Sequence, residues 1–329
     1  MTDSSALGPR SGARRVGAIA AALTVTMFAA AGPAAADGMP TAPEGGAGAK
    51  PTVVMVHGAF ADALSWASVV ERLQSDGFPV VSASNPLRGL ANDSAYIASL
   101  LETIKGPIVM VGHSYGGAVI SHAAAGNSRV KSLVYISALM PEKGEILGRI
   151  AEKFVGGRLN DALRNMPFQD ADGRGTDLYV DPEKFAGVLA GDLPAAAAAA
   201  MAAAQRPIVA SAFSERATKA AWKKIPSWAL VAKNDKALAP DYERFAAKRA
   251  RSHTVEIPSS HMAMLSHPDA VAQLIRDAAA GRASDGKASL AATGTDTRVL
   301  TGLGVAAAVT VLAGAGLVAI ARKRRDATH

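Results

Sequence analysis

The run Gly112-His113-Ser114-Tyr115-Gly116 limits what this chain can fold into more than any other stretch. It follows Pro107-Ile108-Val109-Met110-Val111, a short apolar run rich in β-branched residues. It precedes Gly117-Ala118-Val119-Ile120-Ser121-His122-Ala123-Ala124, which has the pattern of a helix. A G-x-S-x-G sequence at a strand-to-helix turn projects its serine from the sheet edge, over the positive end of the following helix. The small residues let backbone segments approach closely within a strained turn.

The same alternation recurs along the chain. Strands are expected at 52–56, 79–83, 107–111, 130–136, 227–232 and 253–257, and helices near 63–75, 93–104, 115–125, 241–250 and 268–280. In the last of these, Val271, Leu274 and Ile275 share one face. Apolar strands alternating with helices predict an α/β fold, a mostly parallel sheet with helices on both faces. The alternation breaks between Leu139 and about Ile225, where Pro and Gly are scattered among weak helical patterns. Residues 139–225 therefore read as an inserted helical cap. Met140, Phe154, Leu159, Leu163, Met166, Phe168 and Phe185 are candidates to line a pocket, although each also suits core packing. Ala195–Ala204 favours helix by propensity. Asp170, Asp172 and Asp177 are too loosely spaced for a calcium loop and read as solvated.

A nucleophilic serine needs a base to take its proton, and the base needs an acid to fix its tautomer. After a G-x-S-x-G turn the chain order is Ser, then Asp or Glu, then His. Asp235 follows the expected strand 227–232, and His261 follows the expected strand 253–257. With Ser114, all three lie at carboxyl ends of strands, where open parallel sheets build their sites. Asp241 competes with Asp235, but beside Pro240 it suits the start of a helix. Among the other histidines, His57 and His113 flank the site in turns, His122 lies on a helix and His253 opens a strand. His267 opens the last helix, and His329 ends a basic tail. Acyl transfer also needs donors for an oxyanion. The backbone N–H of Tyr115 supplies one, and that of Ala59, in the loop His57-Gly58-Ala59-Phe60, supplies the second.

These residues resemble the α/β-hydrolase superfamily, in the branch that holds small esterases, plant methylesterases and hydroxynitrile lyases. The resemblance rests on His57-Gly58-Ala59-Phe60, Gly112-His113-Ser114-Tyr115-Gly116-Gly117, Asn234-Asp235 and Ser260-His261-Met262, and covers roughly residues 51–281. It implies a Ser-His-Asp hydrolase, here a carboxylesterase on a small ester, that uses neither cofactor nor metal. The superfamily hosts many chemistries on one scaffold, so the substrate stays open. In this branch the lyases carry a lysine directly after the catalytic histidine. Here that residue is Met262, which favours hydrolysis over cyanohydrin cleavage. Apart from a lyase, the alternative is a surface ligand-binding protein on the same scaffold.

The ends of the chain are built differently from its middle. Residues 1–36 read as a signal peptide, with Arg10, Arg14 and Arg15 ahead of an apolar run and Ala34-Ala35-Ala36 as a cleavage site for signal peptidase. Arg14-Arg15 also permits twin-arginine export. Residues 37–50 read as a flexible linker. Residues 282–293 end in Leu290-Ala291-Ala292-Thr293, and Gly294 completes a pentapeptide that resembles an L-A-x-T-G sortase signal. That resemblance implies cleavage between Thr293 and Gly294. Residues 294–329 hold an uncharged apolar run, Leu300 to Ala321, long enough to span a bilayer, and then Arg322-Lys323-Arg324-Arg325. The expectation is an exported protein anchored to a Gram-positive type envelope.

Of 35 basic and 28 acidic residues, residues 1–36 carry three and one and residues 294–329 carry five and two. The remainder holds 27 and 25, a net of +2. The basic surplus thus belongs to the ends, and nucleic acid is not an expected partner. The chain has no cysteine, which excludes disulfides and a thiol nucleophile.

Overall fold

The computed structural model describes residues 50–171 and 173–283. In chain order these form β1 (Thr52–Val56), a 3₁₀ turn (Ala63–Trp66), α1 (Ala67–Ser75), β2 (Val80–Ala83), α2 (Leu90–Glu102), β3 (Ile108–His113), α3 (Tyr115–Ala123) and β4 (Val130–Ile136). The cap follows with α4 (Leu147–Ala151), α5 (Leu159–Ala162), β5 (Leu163–Asp170), β6 (Gly173–Val180), α6 (Pro182–Leu189), α7 (Ala195–Ala204), β7 (Ile208–Val209) and α8 (Ser211–Ser214). After a second 3₁₀ turn (Ala221–Lys223) come β8 (Ser227–Ala232), α9 (Pro240–Arg249), β9 (His253–Ile257), α10 (Ala263–Ser266) and α11 (Pro268–Ala279).

Six strands make one sheet in the order β2-β1-β3-β4-β8-β9, and every pairing is parallel. The expected α/β fold is therefore the observed one. Every residue of β1, β3 and β8 is buried, the consequence of helices covering both faces. The helices follow from their apolar spacing. On α11, Val271, Leu274, Ile275 and Ala278 turn inward and Pro268 occupies the first turn. All nine residues of α3 are buried, so this helix is apolar on every side and runs through the core.

The chain leaves β1 toward β2 and returns to β3 on the other side of β1. The switch point of the sheet thus lies between β1 and β3, where Val56 pairs with Gly112. The loop after β1 and the turn after β3 emerge side by side there.

Two expectations need correction. The helix expected at 93–104 begins at Leu90, because Gly89 turns the chain at φ 118° and the distant Glu215 carboxylate accepts the Leu90 and Ala91 N–H groups. This cap on the helix comes from 125 residues away in sequence, beyond any local pattern. The cap is only partly helical. It also contains a three-stranded antiparallel sheet, β5-β6-β7, in which Leu163 to Asp170 pair with Val180 to Gly173. Pro167 is tolerated because β5 is an edge strand. Asp177 accordingly lies in a strand rather than a solvated loop. It is buried, and both its oxygens meet Arg88, at 2.6 and 3.3 Å. Asp170 accepts the Gly173 N–H at the hairpin end, and Asp172 lies outside the described residues.

Candidate active site

Ser114 alone forms the turn between β3 and α3, with φ 51° and ψ −123°. L-residues avoid this region, and a non-glycine residue stays there only when its surroundings hold it. The Ser114 N–H donates to Ile136 O at 3.2 Å, and its carbonyl accepts from Gly117 N and Leu139 N, both at 3.0 Å. A Cβ on Gly112 would come within 2.6 Å of Gly116 O, and one on Gly116 within 2.4 Å of Val56 O. Both glycines are required by close packing in the turn. The Ser114 hydroxyl makes no cap bond to α3 and no other hydrogen bond among the described residues.

Asp235 stands in the loop after β8 and His261 in the loop after β9. His261 Nδ1 lies 2.5 Å from Asp235 Oδ2, and the two side chains are 2% and 0% exposed. Asp235 Oδ1 accepts the Ala237 and Leu238 N–H groups at 2.7 and 2.9 Å, which fixes the carboxylate plane. With Nδ1 donating to Asp235, the His261 lone pair is at Nε2. His113 ties the base to the turn: its Nε2 donates to His261 O at 3.1 Å, and the two rings lie 4.7 Å apart. The base thus packs against the residue that precedes Ser114. Asp241 occupies the first turn of α9, pairs with Arg244 at 2.9 Å and is 76% exposed. It complements the helix dipole from inside that turn rather than capping the helix, since Ala239 is the cap residue.

The flanking histidines are neutral. His57 Nδ1 donates to Gly58 O at 2.9 Å, and its Nε2 accepts the Asn85 N–H at 3.0 Å. Burial pushes its pKa down to about 4. Complete burial, and then nearby His261, hold His113 well below its ordinary value. His113 ends β3 rather than lying in a turn. His122 donates to Ala118 O and accepts the Thr218 N–H, and burial lowers it too.

The loop after β1 lies against the serine: a Cβ on Gly58 would stand 2.7 Å from Ser114 Cβ. The cap holds this loop in place, through the Phe60 N–H donating to Arg206 O at 3.0 Å. The Ala59 and Tyr115 N–H groups have no protein acceptor among the described residues. The Tyr115 N–H belongs to the first turn of α3, where no intrahelical acceptor exists. The Tyr115 phenol is fixed by donating to Asp93 Oδ2 at 2.8 Å.

A cavity of about 270 Å³ opens beneath the cap, walled by Leu139, Leu147, Phe154, Leu159, Phe213 and Leu238, with Glu152, Asn160 and Asp161 on its polar side. Leu139 bonds to the Ser114 carbonyl and Leu238 to the Asp235 carboxylate, so this wall is continuous with Ser114 and Asp235. Phe154 and Leu159 line it while also packing against the core, and Leu163 does the same beside a neighbouring cavity of about 500 Å³. Met140 and Phe185 belong to the core, Met166 is exposed, and Phe168 lies under the Arg88 guanidinium. Among the described residues no group of three or more His, Asp or Glu side chains converges as a metal site. Thr293 and Gly294, like the signal and span segments, lie outside the described residues.

The sequence reading missed two polar residues beside the site. Asp192, after α6, accepts the Ser260 N–H at 2.8 Å. Glu243, on α9, is 3% exposed and accepts the Ala232 N–H at 2.9 Å. Both look like solvated surface acids in a single sequence, and no spacing rule singles them out.

Residues 53–274 match the model of the alpha/beta hydrolase family. The chain is 28% identical over 253 residues to the alpha/beta hydrolase nvfD of Aspergillus novofumigatus, covering 70% of this chain and 97% of that protein. Polyneuridine aldehyde esterase superposes with a TM-score of 0.60 at 19% identity, over 69% of this chain and 98% of that one. A pyrethroid hydrolase from Sphingobium faniae superposes with a TM-score of 0.58 at 22% identity, over 70% and 97%. At these identities the structural likeness speaks for the fold.

Proposed function

Since the chain belongs to the alpha/beta hydrolase family, we propose that it is an exported serine hydrolase, a carboxylesterase that cleaves a small ester through an acyl-enzyme. The observation that carries this reading is the buried Asp235–His261 pair packed on His113, the residue that precedes the strained Ser114. Ser114 Oγ attacks the ester carbonyl carbon and gives its proton to His261 Nε2. The carbonyl oxygen becomes an oxyanion, held by the Ala59 and Tyr115 N–H groups. As the intermediate collapses, the C–O bond to the alcohol breaks, and the leaving oxygen takes the proton from His261. Water then gives a proton to His261 and attacks the acyl carbon. Collapse releases the acid and returns the proton to Ser114. Asp235 keeps His261 in the Nδ1–H tautomer and stabilises the imidazolium. The names of the two solved relatives, an esterase and a hydrolase, support an ester substrate. Met262, fully buried and apolar, offers no charge to a cyanide leaving group, which supports hydrolysis over lyase chemistry.

Purified protein should turn over p-nitrophenyl esters, and Ser114→Ala should lower kcat by about 10³-fold or more. A fluorophosphonate should label Ser114, and labelling at a different residue overturns the assignment. Export through residues 1–36 and attachment through Thr293 belong to the same proposal. They are supported by the order of pentapeptide, apolar run and basic tail, with signal peptidase and sortase as processing partners. Envelope fragments analysed by mass should end at Thr293, and an intact 294–329 tail rules sorting out.

A further inference from the structure

Glu243 is a buried acid with no place in the steps above. It lies on the face of α9 that packs on β8, where Oε2 takes the Ala232 N–H and Oε1 meets no donor among the described residues. The carboxyl within reach of it is that of Asp235, which leaves β8 just beyond Ala232 and donates its own N–H to Ala232 O at 3.1 Å. Two carboxyl groups form a hydrogen bond only if one of them holds a proton. Asp235 already receives three donors, from Ala237, Leu238 and His261, as an ionised carboxylate does, and has room for a fourth. Among the described residues Glu243 has one N–H donor and no cation in contact.

We propose that Glu243 is a positioning residue of the site: a neutral acid that donates its O–H to Asp235 and holds that carboxylate ionised and turned toward His261 Nδ1. Burial first, and then the Asp235 charge, push Glu243 well above the ordinary carboxyl range. The opposing influences are the Ala232 N–H and, from its own helix, the more distant Arg244. The remaining titratable neighbours are Tyr242 beside it, kept neutral by burial, and His261 on the far side of Asp235. A donor on Asp235 draws negative charge away from the oxygen that faces His261 Nδ1, so losing that donor should show in the pH profile of the reaction.

This role rests on the proposed Ser-His-Asp reading, and the test separates the two. The full-length protein is assayed on p-nitrophenyl acetate across pH as wild type, Glu243→Gln, Glu243→Leu and Asp235→Asn. Glutamine keeps both a donor for Asp235 and an acceptor for Ala232, so kcat/KM should stay within threefold and its acid limb should not move. Leucine removes the donor, so the acid limb should rise by about half a pH unit or more, with kcat falling further than KM changes. An unmoved limb in Glu243→Leu, with only Tm lowered, reduces Glu243 to a packing residue. A Gln variant that behaves like the Leu variant overturns the proton assignment. Full activity in Asp235→Asn defeats the catalytic reading instead.

A stability readout serves if Glu243→Leu does not fold. The folded wild type holds a proton that the unfolded chain releases above about 4.5, so its stability falls as pH rises from there. Glu243→Gln carries no such cost, and its Tm advantage over wild type should widen from pH 5 to pH 8. A gap that stays constant with pH overturns the proposal.

Discussion

One methyl group at position 58 tests how tightly the oxyanion loop and the serine are built together. An alanine Cβ there would lie 2.7 Å from Ser114 Cβ, 3.0 Å from His113 O and 3.1 Å from His113 Nδ1. None of these neighbours can swing aside. Ser114 is locked at positive φ, and His113 is wholly buried with its Nε2 on His261 O. The loop must move instead, and it carries the Ala59 N–H. Gly58→Ala should therefore lower kcat by about 100-fold with little change in KM, the effect of displacing a catalytic group by about 1 Å. The strain should also cost about 1–3 kcal/mol of stability. Steady-state kinetics and urea midpoints measure both, and a wild-type kcat would show that the loop does not serve the serine. At this scale the placement of Ser114, Asp235 and His261 at strand ends, and the pairing of the last two, were legible because the proposed chemistry demands particular residue types there in a fixed order. Gly58 was legible only as a turn. Its contact with Ser114 depends on β1 and β3 being neighbours, which one sequence does not state.

Cap and catalytic loop are joined more firmly than their separation in sequence suggests. Asp192 accepts the Ser260 N–H at 2.8 Å, the Ser260 hydroxyl, and the Ser259 hydroxyl at 3.2 Å. Leu189 O, at the end of α6, accepts the Met262 N–H at 3.2 Å. The cap thus grips the chain on both sides of His261. Asp192→Ala leaves the buried Ser260 N–H without its acceptor, at a cost of about 1–3 kcal/mol. It should also lower kcat about tenfold, because the segment that carries His261, the proposed base, loses one of its two ties to the cap. Asp192→Asn keeps one acceptor oxygen and should lie between Ala and wild type. Denaturant midpoints and kcat for the three proteins check the order, and equal kcat values would separate the cap from the base. The strands of the main sheet were legible to within about two residues, because β1, β3, β4 and β8 are fully or largely buried apolar runs that set the alternation. The β5–β6 hairpin was not. Leu163-Arg164-Asn165-Met166-Pro167-Phe168-Gln169-Asp170 is mostly exposed and has no apolar alternation. It becomes a strand only through its partner, where Leu178 and Val180 reach the core.

For the molecule as a whole, buried titratable groups set a pH dependence that no single site reveals. His57, His113 and His122 are neutral in the fold, each lowered first by burial. The unfolded chain takes up protons near 6.5 while the fold resists, so their contribution is complete above 6.5 and is lost as pH falls. For His57 the loss runs from 6.5 to about 4 and amounts to about 3 kcal/mol. Glu243 and Asp93 act in the opposite sense. Burial raises both, so the fold keeps protons that the unfolded chain releases, and their contribution is lost as pH rises. Ion-paired acids such as Asp269 and Glu256, lowered by Arg72 and Arg244, act only below about 4.5 and leave the middle window clear. Between pH 6.5 and 4.5 the two buried sets oppose each other, so wild-type stability should fall less steeply than the three histidines alone dictate. Single substitutions expose the terms. His57→Gln can still donate to Gly58 O and accept from Asn85, but it has no proton to refuse. Whatever constant offset it carries, its stability relative to wild type should rise by about 3 kcal/mol as pH falls from 7 to 4. Glu243→Gln should drift the other way, gaining on wild type as pH rises. Urea midpoints across that range measure both differences. A His57→Gln difference that does not vary with pH would mean that the wild-type imidazole takes up its proton in the fold as readily as in the unfolded chain, contrary to the N–H of Asn85 that points at its lone pair.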